Sequence, residues 1–103
     1  MSQSHNAQDV FETQRLDIWL FRTRIFKTRA LASQIIRKGR IRITRGDISE
    51  RVSKPHKKIK AGDKLTFMRN RHLINIEVIS APHRRGPASE AQLHYQAFEE
   101  HCS

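Results

Sequence analysis

Lys27-Thr28-Arg29-Ala30-Leu31-Ala32-Ser33-Gln34-Ile35-Ile36-Arg37-Lys38-Gly39-Arg40-Ile41-Arg42 holds six cations and no acid. Thr28 is a helix N-cap candidate, because its hydroxyl can accept from an unpaired first-turn amide. From there Leu31, Ala32, Ile35 and Ile36 recur on one side at helical spacing. Arg29, Ser33 and Arg37 are four apart on the other side, with Gln34 and Lys38 beside them. Gly39 stands where a left-handed residue ends a helix. Arg40-Ile41-Arg42-Ile43 then alternates with period two, so a half-buried strand follows with both arginines outward. The stretch therefore predicts a short helix, apolar inward and cationic outward, running into a strand.

Working outward, Leu16, Trp19 and Leu20 predict a preceding helix, with Asp17 in its first turn where the dipole favours a carboxylate and an end near Arg24 or Ile25. Ile25 and Phe26 make a buried connector. After Ile43, Gly46 marks a turn over Thr44–Asp47 and Ile48–Val52 a short strand. Pro55 makes residues 53–58 a basic loop, since proline lacks the donor a central strand needs. Ala61-Gly62-Asp63 is a further turn, Lys64–Met68 a strand, 69–71 a hairpin turn and His72–Ile79 a strand. Ser89 and Gln92 have capping-box spacing, which predicts a last helix over Glu90–Phe98 docked through Leu93, Ala97 and Tyr95 or Phe98. The fold class is α+β: two N-terminal helices on a small, mostly antiparallel sheet of four to five short strands, plus a short C-terminal helix. The division expected is a flexible tail over 1–13, a domain over 14–81 and an extension over 82–103.

The chain of 103 residues has room for one small domain, and its hydrophobic fraction of 37% implies a modest core. Its net charge is +10. All 20 Lys and Arg lie between Arg15 and Arg85, where only Asp17, Asp47, Glu50, Asp63 and Glu77 oppose them, so that span carries +15. Such an excess points to polyanionic partners. The lone Cys102 allows no internal disulfide and fits a reducing compartment. The polar N-terminus lacks the apolar run of a signal peptide, and no apolar stretch is long enough for a membrane span, so a cytoplasmic protein is expected.

The basic face of the second helix is the principal functional signal. Arginine offers planar, paired donors to phosphate oxygens, and a helix start offers free amides. A merely solvated helix face is the ordinary alternative; six cations without one acid argue against it here. Arg15, Lys54, Lys57, Lys58 and Lys60 either enlarge this patch or keep the chain soluble. Trp19, Phe26 and Phe67 fit core positions better than base-stacking platforms. The six histidines (His5, His56, His72, His83, His94, His101) show no ligand spacing, so no metal is expected. No nucleophile motif, phosphate-cradling glycine loop or magnesium-holding acid cluster is present, so no enzyme activity and no cofactor are expected. A duplex-DNA reader is a competing possibility, because two helices in succession could pass for a helix-turn-helix. Gly39 and a strand follow at once, however, and only Ser33 and Gln34 could read bases. A membrane-surface role is weaker, for want of an anchor or apolar face.

Three blocks carry a family resemblance: Arg15-Leu16-Asp17-x-Trp19-Leu20, Arg24-x-x-Lys27-Thr28-Arg29-Ala30-x-Ala32 and Lys38-Gly39-Arg40-Ile41-x-Ile43. They resemble the S4-type RNA-binding domain, and Lys54-Pro55 and Gly62-Asp63-x-Leu65 match its later part. Arg85-Gly86-Pro87-Ala88-Ser89-Glu90-Ala91-x-Leu93-x-Tyr95 is similar to the segment after that domain in the ribosome-associated heat shock protein 15 family. The resemblance covers about Arg15 to Tyr95. It implies an αL-motif fold, binding of structured RNA, ribosomal RNA of the large subunit above all, and recycling of large subunits stalled with a nascent chain on tRNA. It also implies that Arg15, Lys27, Thr28, Arg29, Gln34, Lys38 and Arg40 face RNA and that Gly39 serves the turn. With Arg24, Arg37 and Arg42 these make the candidate RNA-binding set. S4-type domains also accompany RNA-modifying enzymes, so an RNA-targeting subunit is the alternative. The chain departs from the pattern at Thr44-Arg45, where many S4-type domains have Asn-Gly, and the segment from there to Lys54-Pro55 is a few residues longer.

Overall fold

The structure is a computed structural model and describes residues 13–98. The expected α+β architecture is present, built on a five-stranded antiparallel sheet with a second, two-stranded ribbon. Strand β1 (Thr13–Arg15) leads directly into helix α1 (Leu16–Arg22), and α2 (Arg29–Arg37) follows. Then come β2 (Ile41–Arg45), β3 (Ile48–Val52), β4 (Lys58–Lys60), β5 (Lys64–Arg69) and β6 (His72–Val78). A single-turn helix α3 (Ala88–Ala91), a 3-10 turn (Gln92–His94) and β7 (Tyr95–Ala97) complete the described chain. The main sheet has the order β3-β2-β5-β6-β7, and β1 pairs with β4 in a separate two-stranded ribbon.

Leu16, Trp19 and Leu20 from α1, with Ala32 and Ile36 from α2, pack on Ile41, Ile43, Leu65, Phe67, Ile76 and Val78 of the sheet. Trp19 and Phe67 are buried, as core positions predict; Trp19 also donates its ring N–H to the Ser80 carbonyl at 2.9 Å. Leu31, expected inward, is 42% exposed, because α2 meets its neighbours chiefly through Ala32 and Ile36, one helical turn apart, and Leu31 lies to the side of that line.

The amides at the start of α1 are satisfied mainly by backbone from the Pro55 loop. Leu16 N–H donates to Lys57 O at 2.8 Å and Asp17 N–H to Pro55 O at 3.2 Å. This loop thus anchors the helix start, which helix ends without a side-chain cap require. The α1 helix stops two residues before the expected end: Thr23 turns its hydroxyl back to Trp19 O at 2.7 Å, and Arg24 takes φ +64°.

Gly46, at φ +63°, opens the two-residue loop between Arg45 and Ile48. A glycine at the first loop position suits the twist of a tight hairpin. The departure from the S4 pattern at Thr44–Asp47 is therefore a regular hairpin, with Arg45 paired to Ile48. Arg45 sends both Nε and Nη2 to the buried Asp63 carboxylate at 2.8 Å each. That hydrogen bond raises the Arg45 pKa, and the Asp63 charge adds to the rise. A raised arginine pKa contributes stability that is fully present at neutral pH and is lost only as pH climbs through the raised value.

The C-terminal segment differs most from expectation. The helix ends at Ala91, Leu93 is 73% exposed, and Tyr95–Ala97 joins the sheet along Ile76–Val78. The Ser89–Gln92 capping box does not form; Pro87 is the N-cap residue, without a side-chain bond. What docks the segment is Ala91 in the core and Tyr95 edge-on to Trp19, ring centroids 6.2 Å apart. The expected tail over 1–13 lies outside the described residues except Thr13, which pairs with Lys60. His5, His101 and Cys102 also lie outside them.

Candidate nucleic-acid interface

The candidate interface starts from a capped helix. Thr28 Oγ1 accepts from the Leu31 N–H at 3.0 Å, so the N-cap read from sequence is formed. At the other end Gly39 N–H donates to Ile36 O at 2.8 Å and Arg40 N–H to Ile35 O at 3.3 Å. This is the Schellman pair of bonds, and it requires the left-handed residue that Gly39 supplies at φ +70°. The turn aims the chain directly into β2, so cations of the helix end and of the strand start share one corner.

The cations of this region fall into two groups. In the first, Asp17 is the hub. It is 2% exposed, and Arg15 grips it with two bonds, Nε to Oδ1 at 3.1 Å and Nη2 to Oδ2 at 2.9 Å. Arg29 Nη2 approaches Oδ2 at 3.5 Å, and Ser33 Oγ donates to the same oxygen at 3.3 Å. The carboxylate also accepts from the Ile18 N–H at 2.8 Å. Asp17 is therefore more than a helix-dipole residue. It is a buried anion under two half-exposed guanidiniums from different elements; its two hydrogen bonds orient Arg15, and its charge draws in Arg29. The β1–β4 ribbon places Lys58 opposite Arg15, which carries the positive surface onto the loop.

The second group is unbraced. Lys27, Arg37, Lys38, Arg40 and Arg42, like the neutral Gln34 beside them, are all exposed, and none makes a side-chain bond to another described residue. Arg24 stands apart from both groups. At the far end of α1 from Arg15, its Nε donates to Gly86 O at 2.5 Å. Arg22 to Pro82 O at 3.0 Å and Arg85 to Phe21 O at 3.0 Å tie the same linker to α1. Arg24 thus braces the C-terminal segment.

Sequence reasoning passed over two features. One is Arg51, which the hairpin register sets opposite Arg42; a two-residue turn at Gly46-Asp47 would have placed it. The other is a basic cleft of about 520 Å³ lined by Arg45, Glu50, Lys54, His56, Lys57 and Lys58. Within it Lys57 meets Glu50 at 3.6 Å. Among the described residues no cluster of three or more His, Cys, Asp or Glu is placed to hold a metal, and no helix is long and apolar enough to cross a membrane.

Comparison with known proteins converges on the same elements. The S4 domain family model matches residues 14–43, which run from β1 through α1 and α2 into β2. Heat shock protein 15 of Escherichia coli K12 is 35% identical over 86 residues, 84% of this chain and 61% of that protein. The heat shock protein 15 homolog of Aeromonas salmonicida is 32% identical over 94 residues, 91% of this chain and 67% of that protein. The chain thus spans about 61% of the length of the Escherichia coli relative. A trimeric structure of Vibrio cholerae heat shock protein 15 superposes with a TM-score of 0.74 at 29% identity, covering 84% of this chain and 83% of that one.

Proposed function

This chain belongs to the heat shock protein 15 family, and we propose that it is a non-catalytic protein that binds structured RNA through α2 and the start of β2. The observation that carries this reading is the six-cation stretch Lys27–Arg42, free of acids, which the fold presents on a capped helix and a strand joined by one turn. Arg15 and Arg29, held by Asp17, are the pre-positioned phosphate ligands. Lys27, Arg37, Lys38 and Arg40 extend the surface along α2 to the corner that Gly39 sets, Arg42 continues it onto the sheet, and Thr28 and Gln34 add polar contacts. Arg24 serves this surface from the side, by holding the linker. Buried aromatics leave few rings for base stacking, which favours recognition by shape and phosphate over single-strand base reading.

The RNA is ribosomal RNA of the large subunit, and the role is recycling of stalled large subunits that carry a nascent chain on tRNA, in the cytoplasm. In this reading residues 14–81 form the binding domain, 1–13 a tail that ends at the paired Thr13, and 82–103 an extension whose 82–86 stretch braces α1. Binding through phosphates releases counterions, so affinity for a ribosomal RNA fragment should fall steeply between 50 and 200 mM salt, with a log–log slope of roughly −0.7 to −0.9 per phosphate engaged. A flat salt response sinks the mechanism. Sedimentation with isolated subunits tests the partner: co-migration with large subunits supports it, and co-migration with small subunits alone refutes it.

A further inference from the structure

The sheet has a second face, turned away from α1 and α2, with a pattern of its own. Register sets Arg51 of β3 opposite Arg42 of β2, Arg42 opposite Thr66 of β5, and Thr66 opposite Asn75 of β6. Directly opposed side chains share a face with Cβ atoms about 4.5–5.5 Å apart, and like charges so placed repel. Nothing nearby offsets the two arginines. Glu50 lies on the other face and pairs with Lys57 at 3.6 Å, while Glu77 is opposite Lys64. Arg42 and Arg51 are both exposed, and neither makes an ion pair or side-chain hydrogen bond to a described residue.

Two uncompensated guanidiniums on adjacent strands form a ready anion site, since each offers planar paired donors to phosphate oxygens. The neighbouring row adds a different chemistry. Met68 and Leu73 are directly opposed and are 57% and 60% exposed. A depression of about 180 Å³ runs between the arginines and this apolar shelf. The stem of Arg51 lies under the α2–β2 corner, where a Cβ on Gly39 would sit 3.0 Å from Arg51 Cδ. The row is therefore continuous with the corner that holds Lys38 and Arg40. A bare inorganic anion has no use for the shelf; a polynucleotide, whose phosphates alternate with sugars and bases, uses both.

We propose that Arg42 and Arg51 form a second phosphodiester site on the open sheet face, with Met68 and Leu73 supporting the ribose or base beside it. The site takes the RNA strand that leaves the α2 surface around the Gly39 corner. The hairpin where this chain departs from the S4 pattern supplies Arg51. The inference rests on the RNA-binding reading above.

The test is binding of the full chain to two RNA probes: a large-subunit ribosomal RNA stem–loop, and the same stem–loop with a single-stranded extension. Arg51→Glu should weaken binding of the extended probe by roughly tenfold or more and reduce its salt slope by about one. Arg51→Lys should recover part of the loss. Leu73→Ser should weaken the extended probe more than the blunt one, with thermal melts reporting that each variant is folded. If Arg51→Glu misfolds, Arg51→Gln carries the same expectation at smaller size. Unchanged affinity for both probes in Arg51→Glu, while Arg29→Glu/Lys38→Glu loses binding, overturns the second site and leaves the α2 reading standing. Competition by millimolar inorganic phosphate at constant ionic strength that matches the effect of Arg51→Glu overturns it too, as a small-anion site. Failure of the unsubstituted protein to bind either probe overturns the α2 reading and this one with it.

Discussion

Arg15 and Arg29 lie on one side of the candidate interface; Arg37, Lys38, Arg40 and Arg42 lie on the other, and the two groups are held differently. The first pair converges on a carboxylate that is 2% exposed, and Arg15 contacts it in a bidentate geometry. The second group extends into solvent from the end of α2 and the start of β2 without side-chain partners among the described residues. The first group sacrifices net charge for position, since Asp17 cancels one of two cations. The second keeps its full charge and must be ordered when a ligand arrives, at a cost of about 0.5–1.5 kcal/mol for each long side chain immobilised. Pre-positioned donors suit geometric recognition of an RNA shape, and mobile cations suit long-range attraction. One helix thus presents both, and the two can be separated by mutation.

The largest effect should come from striking both groups at once. Reversing charge in Arg29→Glu/Lys38→Glu should lower affinity for structured ribosomal RNA by roughly 100-fold or more, because two charge-assisted contacts of about 1.5–3 kcal/mol each are lost. Fluorescence anisotropy at fixed salt measures this, and unchanged affinity removes α2 from the interface.

Asp17→Asn separates position from charge. It makes the protein more basic by one charge, so simple attraction predicts tighter binding. The hub predicts the reverse: Arg15 and Arg29 lose their common anchor, and affinity should fall about three- to tenfold. Stability should drop by about 1–3 kcal/mol, discounted because both arginines are half-exposed. Denaturant melts beside binding isotherms separate the two effects, and tighter binding by the folded variant would refute the hub's positioning role.

Gly39→Ala sits between the groups. An alanine at φ +70° is strained, and its Cβ would press on Arg51 at 3.0 Å. A stability loss of about 1 kcal/mol is expected, with a small loss of affinity as the corner shifts. A variant as stable as the parent would show that the turn tolerates a side chain. The smallest effect belongs to Lys38→Ala alone: roughly a two- to fivefold loss, equal across RNA sequences, with the salt slope reduced by about one. Sequence-dependent losses would mean that Lys38 reads bases.

The parts of the candidate interface that are legible in the sequence are those that depend on near neighbours. The Thr28 cap, the Gly39 turn and the cationic face of α2 follow from spacings of three or four residues, and each forms. The missed parts join distant segments. Local spacing ties Asp17 only to the dipole of its own helix, because its partner Arg29 arrives only when α2 packs against α1. The helix expected over Glu90–Phe98 gives way to a strand at Tyr95–Ala97, because no local spacing reveals that the edge of β6 is free to pair with it. The β1–β4 ribbon joins residues some 45 positions apart, and no local periodicity announces it.

Local sequence is enough to set the two N-terminal helices, the main strands that follow, the acid-free cationic stretch and the turn that bends helix into strand. These depend on backbone dihedral preferences and on side chains one turn or one strand step apart. Which cations are braced and which are not depends on how the elements pack. So do the hold of Arg24 on the linker and the place of Arg51 beside Arg42 on the open face. Burial of Asp17 and the pairing of strands are set by which surfaces meet once the chain has folded, and that is a property of long-range packing.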